Sequence, residues 1–157
     1  MIFPLFSMSQ TVHIKKDDIE YKGSLKTAAN KNYGEAEVTG ALTDAIEQMK
    51  KSTSEGTGLK RKAEITLNTP YQLIRKVKFD IDLSINAKGV DYKIDKFILE
   101  EKKRGGELES TTGEDLLSDM GESGKPAIEA ERILNEIDMR VQQLLALLNK
   151  ELQKENK

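Results

Sequence analysis

The strongest pattern of apolar and polar positions lies between Pro126 and Lys157. Ala130, Ile133, Leu134, Ile137, Val141, Leu144, Leu145, Leu148 and Leu152 recur at steps of three and four residues. That spacing predicts an α-helix over 126–154 with its apolar side chains on one arc of roughly 120°. Met139 and Leu147 lie off this arc, which points to a second contact. A different period governs the middle of the chain. Val77, Phe79, Ile81, Leu83 and Ile85 alternate with Lys78, Asp80, Asp82, Ser84 and Asn86. Period two predicts a strand with one buried face. Asn86-Ala87-Lys88-Gly89 reads as a turn, after which Val90, Tyr92 and Ile94 resume the alternation. Pairing Ile85 with Val90 sets Leu83 opposite Tyr92, Ile81 opposite Ile94 and Asp82 opposite Lys93. A slip of one residue would turn every one of these side chains over, so the register is expected to be firm. The parity changes at Lys96, which places Phe97 and Leu99 on the other face through a bulge or strong twist.

Shorter signals fill in the remaining elements. Val12 and Ile14, then Ile19 and Tyr21, alternate as a short hairpin or edge strand. Residues 23–34 are polar and read as a loop. Glu35 to Lys51 predicts a helix lined by Val38, Leu42, Ala45, Ile46 and Met49. Glu35 and Glu37 suit its positive end, and Lys50 and Lys51 its negative end. Ser52 to Gly58 reads as a flexible break, and Ala63, Ile65 and Leu67 predict another strand. Residues 105–125 form an acidic linker rich in Gly, Ser and Thr. One short helix is expected inside it, because Thr112-Gly113-Glu114-Asp115 resembles a capping box and Gly121 provides a stop. The expected organisation is an α+β domain over 1–104, with 1–10 an unstructured extension, the linker 105–125, and an amphipathic helix over 126–157. The fold class is α+β: a small antiparallel sheet of three to five strands, packed on one face by helix 35–51 and helix 126–154.

Composition narrows the function classes. Of 157 residues, 37 % are apolar and 33 % charged, which suits a thin sheet-and-helix structure with much solvated surface. The net charge of −2 gives no overall attraction to nucleic acid or an anionic membrane. Its distribution is uneven: residues 58–104 hold twelve Lys/Arg against seven Asp/Glu, and 105–125 hold six Asp/Glu against Lys125. The absence of Cys excludes disulfides, thiolate metal sites and Cys nucleophiles, with a cytoplasmic location as the default. The apolar opening Met1-Ile2-Phe3-Pro4-Leu5-Phe6 lacks a basic region and a cleavage site, and Met8 is an alternative start.

Candidate chemistry is sparse. His13 is the sole histidine, so His-based metal clusters are excluded, and it falls on the polar side of its strand. Asp80 and Asp95 are expected to face each other across the hairpin, where paired carboxylates bind a hard cation or share a proton. Lys78 and Lys93 adjoin them. Gly121-Glu122-Ser123-Gly124-Lys125 lacks the earlier Gly of a phosphate loop, and Pro126 replaces its Ser or Thr. Basic runs offer a polyanion site at Lys60, Arg61, Lys62, Arg75, Lys76 and Lys78. Phe79 and Tyr92 fall on the core face, however, which removes them as stacking platforms.

The order of elements over residues 38–104 resembles a known family. Leu42-Thr43-Asp44-Ala45-Ile46-Glu47-Gln48-Met49 precedes a Gly-containing break. Val77-Lys78-Phe79-Asp80-Ile81-Asp82-Leu83, the turn Ala87-Lys88-Gly89-Val90 and another strand follow. This is similar to the bacterial trypsin-co-occurring accessory domains, which implies a non-catalytic adaptor role. The chain departs from that pattern in lacking Trp and in adding the acidic linker and long helix. No functional residue is carried over.

The leading expectation is a non-enzymatic interaction or assembly module without a cofactor or bound metal. Its partner is another protein or a second copy, and its contact surface is Leu134, Ile137, Val141, Leu144 and Leu148. A thirty-residue helix extends about 45 Å, and a strand of eleven residues about 36 Å, so the sheet is expected to leave part of the stripe for a partner. The alternatives are weak polyanion or nucleic-acid binding through 60–78, and a small metal-dependent or hydrolytic enzyme at the outer sheet face. No stretch reaches the length of a membrane span.

Overall fold

The computed structural model describes residues 12–15, 18–25, 32–56, 58–69, 73–103, 105–121 and 124–154. The expected extension 1–10, Tyr71 and Arg104 lie outside them. Among these described residues ten elements follow one another: β1 (Val12–Lys15), β2 (Asp18–Ser24), α1 (Glu35–Gln48), β3 (Ser52–Glu55), β4 (Lys60–Thr66), β5 (Leu73–Asn86), β6 (Gly89–Lys103), β7 (Leu108–Thr112), α2 (Gly113–Met120) and α3 (Lys125–Lys154). The fold is α+β, with a mainly sequential antiparallel sheet and three helices on one side. Among the described residues the sheet has seven strands rather than three to five, in the order β1-β2-β6-β5-β4-β3, with β7 also paired to β6.

The long hairpin of β5 and β6 is the spine of the sheet. Ile85 pairs with Val90, Leu83 with Tyr92, Ile81 with Ile94 and Asp82 with Lys93, the register that alternation dictates. Asn86 Oδ1 accepts the amides of Lys88 at 2.8 Å and Gly89 at 3.1 Å. Gly89 takes a φ of 142° there, which a Cβ would resist. The expected bulge is at Lys96, whose φ is 60°. Between the pairs Lys78–Ile98 and Asp80–Asp95, β5 contributes Phe79 alone, while β6 contributes Lys96 and Phe97. The extra residue turns the strand over once more. Phe97 and Leu99 therefore stay on the core face with Tyr92 and Ile94, contrary to the expected switch of face. The rings of Phe79 and Phe97 stack at 5.2 Å.

The same bulge divides the outer edge of β6. Before it, Asp91 to Ile94 pair with β2; after it, Ile98 to Lys102 pair with β7. Strand β7 and helix α2 thus occupy the segment expected as a linker. Thr112 caps α2, its hydroxyl accepting the Asp115 amide at 3.1 Å. Helix α1 ends at Gln48 rather than Lys51, so the two lysines lie beyond its last turn. Ser52 Oγ donates instead to the carbonyls of Ile46 and Met49, each at 2.8 Å. Ser52–Glu55 pairs with β4 in place of the expected flexible break.

One apolar cluster joins the sheet to the helices. Its members from α3 are Ala130, Ile133, Leu134, Ile137, Val141, Leu144, Leu145, Leu148 and Leu152, all between 0 and 6 % exposed. The stripe is covered because β5 and β6 run for 14 and 15 residues. At about 3.3 Å per residue, each is as long as the helix above it.

Candidate functional site

The five residues expected to meet a partner are used inside the chain. Leu134 is 6 % exposed, Ile137, Leu144 and Leu148 are 1 %, and Val141 is 0 %. A partner could reach them only by lifting α3 from the sheet. Buried polar groups oppose that movement. Arg140, on α3, donates to the carbonyls of Thr66 at 3.0 Å and of Lys50. Gln48 Nε2 donates to Glu151 at 2.6 Å. Tyr21 donates to Asp138 at 2.9 Å, and Tyr33 to the Leu152 carbonyl at 3.2 Å.

The opposite side of α3 has a different character. Ile128, Arg132, Asn135, Met139, Gln142, Ala146, Asn149 and Gln153 follow one another at steps of three and four residues. Ile128 is 59 % and Met139 56 % exposed; Arg132, Asn135, Ala146 and Gln153 are exposed as well. The arc these residues span also takes in Glu131, in line with Asn149, and Lys150, in line with Arg132, so it carries three formal charges. Arg132 pairs with Glu129 at 3.4 Å. The off-arc position of Met139 is the trace of this face in the sequence.

The outer face of the sheet is uncovered and carries an ion-pair lattice. Lys62 reaches Asp80 at 3.2 Å and Lys60 reaches Asp82 at 3.9 Å. Lys76 meets Glu64 and Lys78 meets Glu100, each at 3.3 Å. Lys96 is 3.8 Å from Asp80, and Lys93 is 3.6 Å from Asp95. An open hollow of about 470 Å³ lies over Lys60, Lys62, Asp80, Asp82, Lys93, Asp95 and Lys96. Asp80 and Asp95 are register partners as expected, and each has a lysine beside it. Among the described residues no group of three or more His, Cys, Asp or Glu side chains is placed to hold a metal ion.

Strand parity splits the proposed polyanion set. Lys60, Lys62, Lys76 and Lys78 are on the open face, each with a carboxylate. Arg61 and Arg75 point to the helices and are 5 % exposed. Arg61 donates to the carbonyls of Gly58 and Thr39, both at 3.0 Å. Arg75 bridges Glu101 at 2.5 Å and Glu129, on α3, at 2.6 Å. Burial alone would lower the Arg75 pKa, but hydrogen bonds and charge from the two glutamates raise it. Phe79, Tyr92 and Phe97 are buried, so the described sheet surface offers no aromatic platform. His13 pairs with Glu20 in the β1–β2 ladder.

Among the described residues no helix is long and apolar enough to cross a membrane. No protein-family model matches the chain, and no curated protein matches it. Its fold is similar to two crystal structures. One is a TBP-like protein from Parabacteroides distasonis ATCC 8503, at TM-score 0.60 and 14 % identity over 90 % of this chain and 96 % of that one. The other is a DUF4468 family protein from Bacteroides ovatus ATCC 8483, at TM-score 0.52 and 10 % identity over 87 % of this chain and 90 % of that one. At these identities the likeness is one of fold.

Proposed function

We propose that this chain is a non-enzymatic interaction or assembly module that works in the cytoplasm through the outward face of α3. The observation that carries this is the exposure of two large apolar side chains on that face, Ile128 at 59 % and Met139 at 56 %. Interface centres are enriched in Met, whose flexible apolar side chain adapts to a partner surface. The inward stripe is fully used by the core, so the contact moves to the other side of the same helix. The resemblance of residues 38–104 to non-catalytic accessory domains agrees with this reading. Polyanion binding and hydrolysis at the outer sheet face have weaker support, since the lysines there are each answered by a carboxylate.

The double change Met139→Glu with Ala146→Glu tests the proposal. Both positions are exposed, so stability should move by less than about 1 kcal/mol. The proteins retained from a native extract by the immobilised chain, itself included, should be lost with the variant. Identical retention and identical solution mass for chain and variant would overturn the proposal.

A further inference from the structure

We infer that the free edge of β7 takes up an extended, basic segment of another protein as an added strand. Strand β7 pairs with β6 alone, and no described strand follows on its other side. Every second residue of an edge strand turns its N–H and C=O outward, a row that pairs readily with an extended chain. Neither face of β7 is covered: of its five residues only Thr111 is partly buried. Charge selects the occupant. From Gly105 to Gly121 the charged residues are Glu107, Glu109, Glu114, Asp115 and Asp119, all acidic. Glu109 is the sharpest case. Its register partner is Glu101, a like charge directly across the ladder. Glu101 is committed to Arg75 at 2.5 Å, while Glu107 and Glu109 make no ion pair with a described residue. Both line an open hollow of about 280 Å³ together with Arg75, Glu101 and Lys103. Lys103 lies beyond the last β6–β7 pair, Lys102–Leu108. An arginine or lysine of an added strand, placed beside Glu109, enters the hollow and answers that charge. Strand alternation turns its neighbours to the open face, where one of them meets Leu108, which is 57 % exposed. The fitting segment therefore alternates basic and apolar residues. A second β7 fits poorly, since it would bring the same carboxylates together. This edge is separate from the outward face of α3, and the inference does not rest on that face.

A fluorescein-labelled peptide, Val-Arg-Val-Arg-Val-Arg, tests this by anisotropy against the full chain. It should bind with an affinity that falls as salt rises, and Glu107→Lys with Glu109→Lys should weaken it at least tenfold. Met139→Glu, on α3, should change nothing. Methylating alternate backbone nitrogens of the peptide keeps its charges and removes main-chain donors, and should also weaken binding at least tenfold. Equal binding of the methylated peptide would mean attraction of charge without an added strand and would refute the inference. Binding absent even in dilute buffer, or indifferent to the double variant, would refute it as well. Hydrogen exchange locates the contact: the amides of β7 should slow when the peptide is added, and slowing at β1 or β3 instead would overturn the assignment. A solution mass that rises with concentration and returns to 17.6 kDa in Glu109→Lys would make the occupant a second copy, which also overturns it.

Discussion

Tyr92 sits 2 % exposed, and its hydroxyl makes no hydrogen bond to any described residue. It is the register partner of Gly23 across β2 and β6. A Cβ on Gly23 would stand 2.8 Å from that hydroxyl, so the glycine is what leaves room for the phenol. Tyr92→Phe removes an unanswered polar group while keeping the ring, and is expected to be neutral or to stabilise by about 1 kcal/mol in urea unfolding. Gly23→Ala should destabilise by comparison. Burial pushes the Tyr92 pKa up to about 12. Burial, and then the charge and hydrogen bond of Asp138, push Tyr21 higher still. In the unfolded chain both tyrosines lose their protons near the ordinary value of 10.0. Above that pH the unfolded state binds fewer protons than the folded state, so stability falls as pH rises through 10 to 12 and is unaffected by these groups below it. The urea midpoint should follow that course, with a shallower fall in Tyr92→Phe. At this scale the buried arginines were open to inference from parity: Arg61 is in phase with Ala63 and Ile65, and Arg75 with Val77 and Phe79. Their basic neighbours in sequence drew them instead into one surface patch.

Elements differ in how plainly the chain announces them. Strands β5 and β6 alternate over long stretches because one face is buried along most of their length, and that makes their register readable. Strands β3, Ser-Thr-Ser-Glu, and β7, Leu-Glu-Ser-Thr-Thr, bury no apolar face. They are held by backbone pairing at the sheet edges, which leaves no periodic mark. Helix α2 is readable through its cap, and Thr112→Ala should cost about 1 kcal/mol. The stripe of α3 is equally plain, but an amphipathic pattern gives the width of the buried face and not what covers it. Here the cover is the chain's own sheet. Leu144→Ala should therefore destabilise by about 2–5 kcal/mol in denaturant unfolding. Val141→Asp with Leu144→Asp should abolish the fold rather than free a surface.

For the whole molecule, the single buried cluster predicts one cooperative transition, with circular dichroism and tyrosine fluorescence changing together in urea. Separate transitions for the helices and the sheet would contradict it. The buried ties from Arg75 and Arg140 bind α3 to the sheet and to the end of α1, so its stability is not separable from theirs. The open sheet answers its lysines with nearby carboxylates, while the outward side of α3 mixes Glu131, Arg132 and Lys150 with the exposed Ile128 and Met139.

The bulge at Lys96 resembles an extra base looped out of a duplex: the pairing on either side of it stays in phase. Deleting Lys96 would remove the extra residue and set Phe97 opposite Phe79 in unbroken register, so Phe97 and Leu99 should stay under the helices and the fold should survive with a flatter strand. Lys96→Gly keeps the count and eases a positive φ, and should be tolerated or mildly stabilising. Neither the identity nor the presence of this residue decides which face Phe97 takes, because Phe79 is its neighbour across the hairpin either way.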